Sequence, residues 1–262
     1  MQALTRPYGG ALHYRTDGPA DAPTVIFANS LGTDLRLWDA VLPLLPRDLR
    51  YIRYDKQGHG LSTLGGGTDI TDHADDAIAL IEALAGKPVV FVGLSIGGLI
   101  GQTVASRRPE LVRALVLSNT AAKLGTVESW QARIDAITGH GLEHIADAVM
   151  ERWFAPAFRA TPELALWRAM LTRTPADGYI AACKALSRAD QTAATAALRL
   201  PALAIAGDAD GASPAEVVEA TAALIPGSAF HVIPGAGHLP CVEKPAAYAA
   251  ILSPFLRTHA HD

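Results

Sequence analysis

The stretch from Pro88 to Ser106 carries no charged residue and is nearly long enough to cross a bilayer, so the folded chain must bury it almost whole. Two arrangements do that: one membrane-spanning helix, or a strand and a helix inside a protein core. Glycines at positions 93, 97, 98 and 101 decide between them. The run PVVFVG is β-branched and precedes a switch to helical spacing, the pattern of a buried strand, a tight turn and a buried helix. Similar short apolar runs recur as TVIFANS from Thr24, YIRYD from Tyr51, ALVLSN from Ala114, ALAIAG from Ala202 and AFHVIPG from Ala229. Between them lie helical patterns: LRLWDAVLPLL; TDHADDAIALIEALAG, with Thr71 as N-cap and Gly86 just past the end; and GGLIGQTVASRR. This alternation predicts an α/β fold, a right-handed doubly wound sheet, mostly parallel and covered on both faces. ALHYRTDG reads as an antiparallel edge strand, and the closing HAHD as a frayed end.

The alternation stops after Thr120. From Ala121 to about Arg199 only helical periodicity remains, far more chain than a parallel crossover needs. Residues 1–120 and 200–262 are therefore expected to form the core, with 121–199 inserted as a helical lid.

Composition narrows the class. Half of the 262 residues are hydrophobic and 18% are charged, which supplies a sizeable core and excludes a disordered chain. Lys and Arg number 22 against 26 Asp and Glu, a formal charge of −4, so no basic excess draws the chain to nucleic acid or to an anionic membrane. A small molecule is the expected partner, and the oligomeric state is left open. Two cysteines, Cys183 and Cys241, are too few for a disulfide scaffold and read as free thiols. With no basic segment leading into an apolar one at the N-terminus, the expected location is the cytoplasm.

The sharpest chemical signal is Gly93-Leu94-Ser95-Ile96-Gly97-Gly98, a G-x-S-x-G sequence between a strand and a helix. A serine on such a turn needs neighbours without Cβ two positions away on each side, where the backbone doubles back. Its hydroxyl then stands above the sheet edge, with the Ile96 N–H at the helix start beside it. Serine is a poor nucleophile unaided and needs a base. His238, in the Gly235-Ala236-Gly237-His238 loop after the final strand, can reach back over the sheet. An acid to orient the imidazole belongs after a strand between the two, and Gly207-Asp208-Ala209-Asp210 offers two carboxylates. Asp210, three residues beyond the glycine, is preferred, leaving Asp208 to cap the turn. The loop Asn29-Ser30-Leu31-Gly32-Thr33 follows the first parallel strand, and its Leu31 N–H is the expected second oxyanion donor, with Asn29 and Ser30 able to polarise the same site.

Other features read more plainly. Asp55 and His59 are expected to be structural hydrogen-bonders. His140 and His144 have the spacing of two metal ligands, but glycines flank the first and no third ligand stands out, so no metal is expected. Cys241 reads as a buried thiol. Trp130 is either lid core or the roof of a pocket, while Trp153 and Trp167 lean to core.

At these residues the chain resembles the α/β-hydrolase superfamily from about Ala11 to Leu256. More narrowly it is similar to 3-oxoadipate enol-lactonases of the β-ketoadipate pathway of aromatic degradation. That likeness rests on NSLGTDLRLWD from Asn29, RYDKQGHGLS from Arg53, GLSIGG from Gly93, SNTAAKLGTVESWQARI from Ser118 and ERWFAPAF from Glu151. One departure is Gln57, where such enzymes usually carry arginine. The resemblance implies Ser95 as nucleophile, Asp210 as acid, His238 as base and Leu31 and Ile96 as oxyanion donors, with no metal or organic cofactor. It also implies a substrate carboxylate, for which Arg133, one turn after Trp130, is the leading partner and Lys123 the second. A general carboxylesterase or another lactonase with the same machinery, and a ligand receptor on the hydrolase fold, are the competing readings.

Overall fold

The computed structural model of the protein describes residues 1–6 and 9–261. Among these, eight strands form one sheet: β1 (Gln2–Thr5), β2 (Ala11–Asp17), β3 (Thr24–Ala28), β4 (Arg50–Tyr54), β5 (Val89–Leu94), β6 (Val112–Ser118), β7 (Ala202–Gly207) and β8 (Ala229–Ile233). Their order is β1-β2-β4-β3-β5-β6-β7-β8. The β1/β2 and β2/β4 pairs are antiparallel, and every later pair is parallel. Strands β3, β5 and β7 are buried at every position, as parallel strands covered on both faces must be.

The helices are α1 (Ile70–Leu84), α2 (Ile96–Arg107), α3 (Val127–Trp153), α4 (Pro156–Arg159), α5 (Leu164–Thr172), α6 (Ala176–Arg188), α7 (Thr192–Ala197), α8 (Ala215–Ala223), α9 (Pro240–Glu243) and α10 (Pro245–His259). The stretch Pro88 to Ser106 divides into β5, the turn at Ser95 and most of α2. No helix among the described residues is long and apolar enough to cross a membrane.

The order of strands places the site. After β3 the chain turns to β4 on one side, and it returns to β5 on the other, so the loops leaving β3 and β5 diverge. A crevice opens where they part, at the carboxyl ends of the strands. Ala28 is in register with Gly93, which brings the Ser30–Thr33 loop beside Ser95. Asn119 follows β6, Asp210 follows β7 and His238 follows β8, all along the same rim. Between β6 and β7 run α3 to α7, with α3 packed on α5 and α6. Within α3, Gly141 (φ 76°, ψ 174°) interrupts the helical geometry, so that two helical segments meet end to end there.

Four local expectations are corrected. The segment LRLWDAVLPLL forms only two 3₁₀ turns, Leu35–Trp38 and Leu42–Leu44, because Pro43 and Pro46 deprive a longer helix of backbone donors. Helix α1 begins one residue before Thr71, and its N-cap is Asp69, whose N–H donates to the Asp72 carboxylate at 2.9 Å. ALHYRTDG is antiparallel but not the edge, because β1 pairs outside it. The tail does not fray at His259: α10 reaches that residue, Ala260 is buried, and its carbonyl accepts from Arg113 Nη1 at 2.9 Å. Asp262 lies outside the described residues.

Candidate active site

Ser95 sits at φ 59°, ψ −121°, a conformation that costs a non-glycine residue on the order of 1–3 kcal/mol. The glycines around it make that turn feasible. A Cβ at Gly93 would run into the Gly97 backbone, and one at Gly97 into the Ala28 carbonyl, so both positions demand hydrogen. The Ser95 N–H donates to the Ser118 carbonyl at 3.0 Å, which anchors the turn to β6. Ile96 is the first residue of α2, and its N–H has no carbonyl one turn back to meet.

His238 and Asp210 meet as the spacing implied. Imidazole Nδ1 lies 2.9 Å from Asp210 Oδ2, and both side chains are buried. Burial pushes the Asp210 carboxyl up, yet the facing imidazole, its hydrogen bond and donors from Asn119 and Ser213 outweigh it and leave the group below its ordinary value. Its other oxygen accepts the N–H groups of Ala212 at 2.7 Å and Ser213 at 2.9 Å. Asp208 is used elsewhere, accepting from the Gly235 N–H at 2.7 Å. The other imidazole nitrogen, Nε2, is hydrogen-bonded with Ser30 Oγ at 3.3 Å, and Ser95, Ser30, Leu31 and His238 line one cavity.

The walls opposite come from the helical segment. Trp130, Arg133, Arg152, Trp153 and Tyr179 line the same cavity, together with Val149 and Leu186. The Arg133 guanidinium lies 5.2 Å from the Trp130 ring centroid and 3.5 Å from the Tyr179 hydroxyl. Trp130 Nε1 donates to the Leu124 carbonyl at 2.6 Å, which orients the ring. Burial, and then the nearby charge of Arg133, lowers the Arg152 pKa, so two guanidiniums share one small space. Among the described residues neither of them is in an ion pair. The far end of α3 is also tied to the candidate acid and base. The Trp153 carbonyl accepts the His238 N–H at 2.7 Å, and the Arg152 carbonyl accepts the Gly211 N–H at 3.2 Å.

Two proposed contacts do not reach the cavity. Lys123 points outward, more than half exposed, and pairs with Asp190 at 3.2 Å. Asn29 spends its side chain on the fold, donating to the Tyr54 carbonyl at 2.8 Å and accepting from Trp38 Nε1 at 2.9 Å. Asp55 accepts from the N–H groups of Leu35 and Leu61, and His59 Nδ1 lies 3.1 Å from the Gln57 carbonyl. Cys183 and Cys241 are both free and buried. Trp153 is buried while lining the cavity, whereas Trp167 packs on Phe154 at 6.0 Å.

Asn119 escaped the sequence reading. It holds φ 46°, and its Nδ2 donates to Asp210 Oδ2 at 2.9 Å and to the Gly237 carbonyl at 3.3 Å. Asn119→Ala is expected to lower stability by about 1–3 kcal/mol and kcat roughly tenfold, through the strained backbone and three lost bonds, the third accepted from Ser118 Oγ at 3.0 Å. Asn119→Gly separates the two causes: urea unfolding should show stability partly regained while kcat stays low. A glycine variant with wild-type kcat would show that the amide has no part in holding Asp210.

A serine in a strained strand-to-helix elbow, on a sheet of this order, is the mark of the α/β-hydrolases. The chain belongs to that family: residues 23–245 match the family described as alpha/beta hydrolase fold. Within it, the chain is 36% identical over 241 residues to 3-oxoadipate enol-lactonase 2 of Acinetobacter baylyi, spanning 91% of this chain and 90% of that protein. It is 32% identical over 257 residues to 3-oxoadipate enol-lactonase 1 of the same organism, spanning 97% and 96%. The crystal structure of the enol-lactonase from Burkholderia xenovorans superposes with a TM-score of 0.91 at 33% identity, covering 95% of this chain and 97% of that one.

Proposed function

We propose that this protein opens the ring of 3-oxoadipate enol-lactone by water, through an acyl-enzyme on Ser95. The observation that carries the reading is the pair of guanidiniums, Arg133 and Arg152, lining the same cavity as Ser95 and His238. A neutral ester gives the two cations lining the cavity nothing to bind, whereas a lactone bearing a carboxylate answers them with charge-assisted hydrogen bonds. Similarity to proteins named for that reaction supports the same choice.

In this reading His238 takes the proton from Ser95 Oγ as the oxygen attacks the lactone carbonyl, and Asp210 stabilises the imidazolium. The Leu31 and Ile96 N–H groups hold the oxyanion. Collapse breaks the ring C–O bond, and the leaving enolate oxygen takes the proton from His238. The enol then tautomerises to the ketone, which removes the group that could close the ring again. Water gives a proton to His238 and its oxygen to the acyl carbon, Ser95 recovers the proton, and 3-oxoadipate leaves.

The test follows loss of the enol-lactone's ultraviolet absorbance with purified protein, alongside hydrolysis of 4-nitrophenyl acetate. Arg133→Ala should raise KM for the anionic lactone roughly 10- to 100-fold, the worth of one hydrogen bond to a charged group, and leave KM for the neutral ester within about threefold. Equal changes on both substrates would remove the carboxylate assignment, and equal wild-type activity on both would mark a general esterase.

A further inference from the structure

Lys56 belongs to no step above, yet it is among the most completely buried side chains in the protein, and an unpaired buried lysine is costly. Its Nζ donates to two carbonyls, Ser30 at 2.5 Å and Thr33 at 3.1 Å, which bracket the turn after β3. The Ser30 carbonyl also accepts from the Thr33 N–H at 3.3 Å and from Thr33 Oγ1 at 2.9 Å, and Gly32 (φ 75°) supplies the left-handed residue that closes the turn. The Ser30–Leu31 peptide is trans, so its carbonyl and its N–H point in opposite directions. A lysine holding the carbonyl on the inner side therefore aims the Leu31 N–H outward, where Ser30, Leu31, Ser95 and His238 line the cavity.

We propose that Lys56 is a positioning residue for the oxyanion hole: by gripping the Ser30 and Thr33 carbonyls it sets the Leu31 N–H toward the developing oxyanion. The ammonium also polarises the Ser30–Leu31 amide, which makes its N–H a stronger donor. The surroundings fit a cation aimed at carbonyls. Asp55 has its oxygens on the Leu35 and Leu61 N–H groups and on His13, and Asp34 is paired with Arg36, so the lysine's hydrogen bonds go to the loop. Burial draws Lys56 down to about 7 while Asp55 and Asp34 hold it up. His59 and His73, which face it, are held low by burial and then by the lysine's own charge.

The inference rests on the hydrolase reading of Ser95, and the test uses a generic ester so that the two can fail separately. Lys56→Met and Lys56→Gln are compared with wild type in hydrolysis of 4-nitrophenyl acetate and in inhibition by an aryl trifluoromethyl ketone, whose adduct with Ser95 carries an oxyanion. Expected are a fall in kcat of at least about tenfold, larger for Met than for Gln, KM within about threefold, and a rise in the ketone's Ki matching the fall in kcat. Altered thermal stability with kcat and Ki within about threefold of wild type would leave Lys56 a scaffold residue and overturn the proposal. Should both variants fail to fold, Thr33→Val decides: loss of the hydroxyl bond to the same carbonyl should shift kcat and Ki together by about two- to fivefold, and no shift overturns it. Wild-type protein active on the ester but inert to the enol-lactone refutes the substrate reading, and the Lys56 comparison stands on the ester alone. A fully active Ser95→Ala ends both.

Discussion

Ser95→Ala should reduce kcat by about 10⁴- to 10⁶-fold on the enol-lactone and on 4-nitrophenyl acetate alike, the scale seen when the nucleophile of a serine hydrolase is removed. Binding should survive, because the cavity walls and the guanidiniums are untouched. The elbow adds a second readout. Ser95→Gly should be equally inactive yet match or exceed the thermal stability of Ser95→Ala. At φ 59° glycine releases strain on the order of 1–3 kcal/mol, against an entropic cost of up to about 1 kcal/mol. A position kept as serine for the fold would show the reverse, with stability falling and turnover unaffected. Steady-state kinetics together with calorimetry on the two variants distinguish these cases.

Asp210→Asn should lower kcat about ten-thousand-fold and leave KM within about threefold, the size of effect known for the same substitution in another serine hydrolase. The reason lies in which atoms the carboxylate serves. One oxygen accepts from the backbone of Ala212 and Ser213, so an amide placed here keeps its oxygen on that side. Its NH₂ must then face both His238 Nδ1 and the donating Asn119 Nδ2. The imidazole can answer only by accepting at Nδ1 and carrying its proton on Nε2, where it has no lone pair to take a proton from serine. The crowding of NH₂ against NH₂ should also cost roughly 1–3 kcal/mol in urea unfolding. A kcat within tenfold of wild type would mean that His238 does not depend on Asp210 for its tautomer.

What could be read from the residues follows how local each signal is. The strands and the elbow announce themselves because a buried parallel strand needs a nearly continuous apolar run, and the doubled-back turn admits only glycine at 93 and 97. Asp210 and His238 were legible because each sits a few residues beyond a strand end, so topology alone carries them to one rim. The segment LRLWDAVLPLL misled because its apolar spacing is helical while its prolines forbid the bonds. Arg152 and Lys56 gave no local sign. Arg and Lys are ordinarily exposed, and only the path of the chain turns the last turn of α3 over the cavity or folds Lys56 under the Ser30–Thr33 loop. Asn119 hid for a related reason: an asparagine after a strand is common in turns, and its hold on Asp210 spans 91 positions of sequence.

The interruption at Gly141 divides one helix into halves with different ties to the rest of the fold. Beyond it, the backbone of Arg152 and Trp153 is bonded to the loops of Asp210 and His238, so that half cannot shift without disturbing the Asp210–His238 contact. Ahead of it lie Trp130 and Arg133, which line the cavity but make none of those bonds. Since Arg133 lies ahead of the glycine joint and Arg152 beyond it, a shift of the front half alone would change the spacing of the two guanidiniums across the cavity. New side chains ahead of the joint can reshape that part of the cavity wall while the backbone bonds to the loops of Asp210 and His238 are inherited intact.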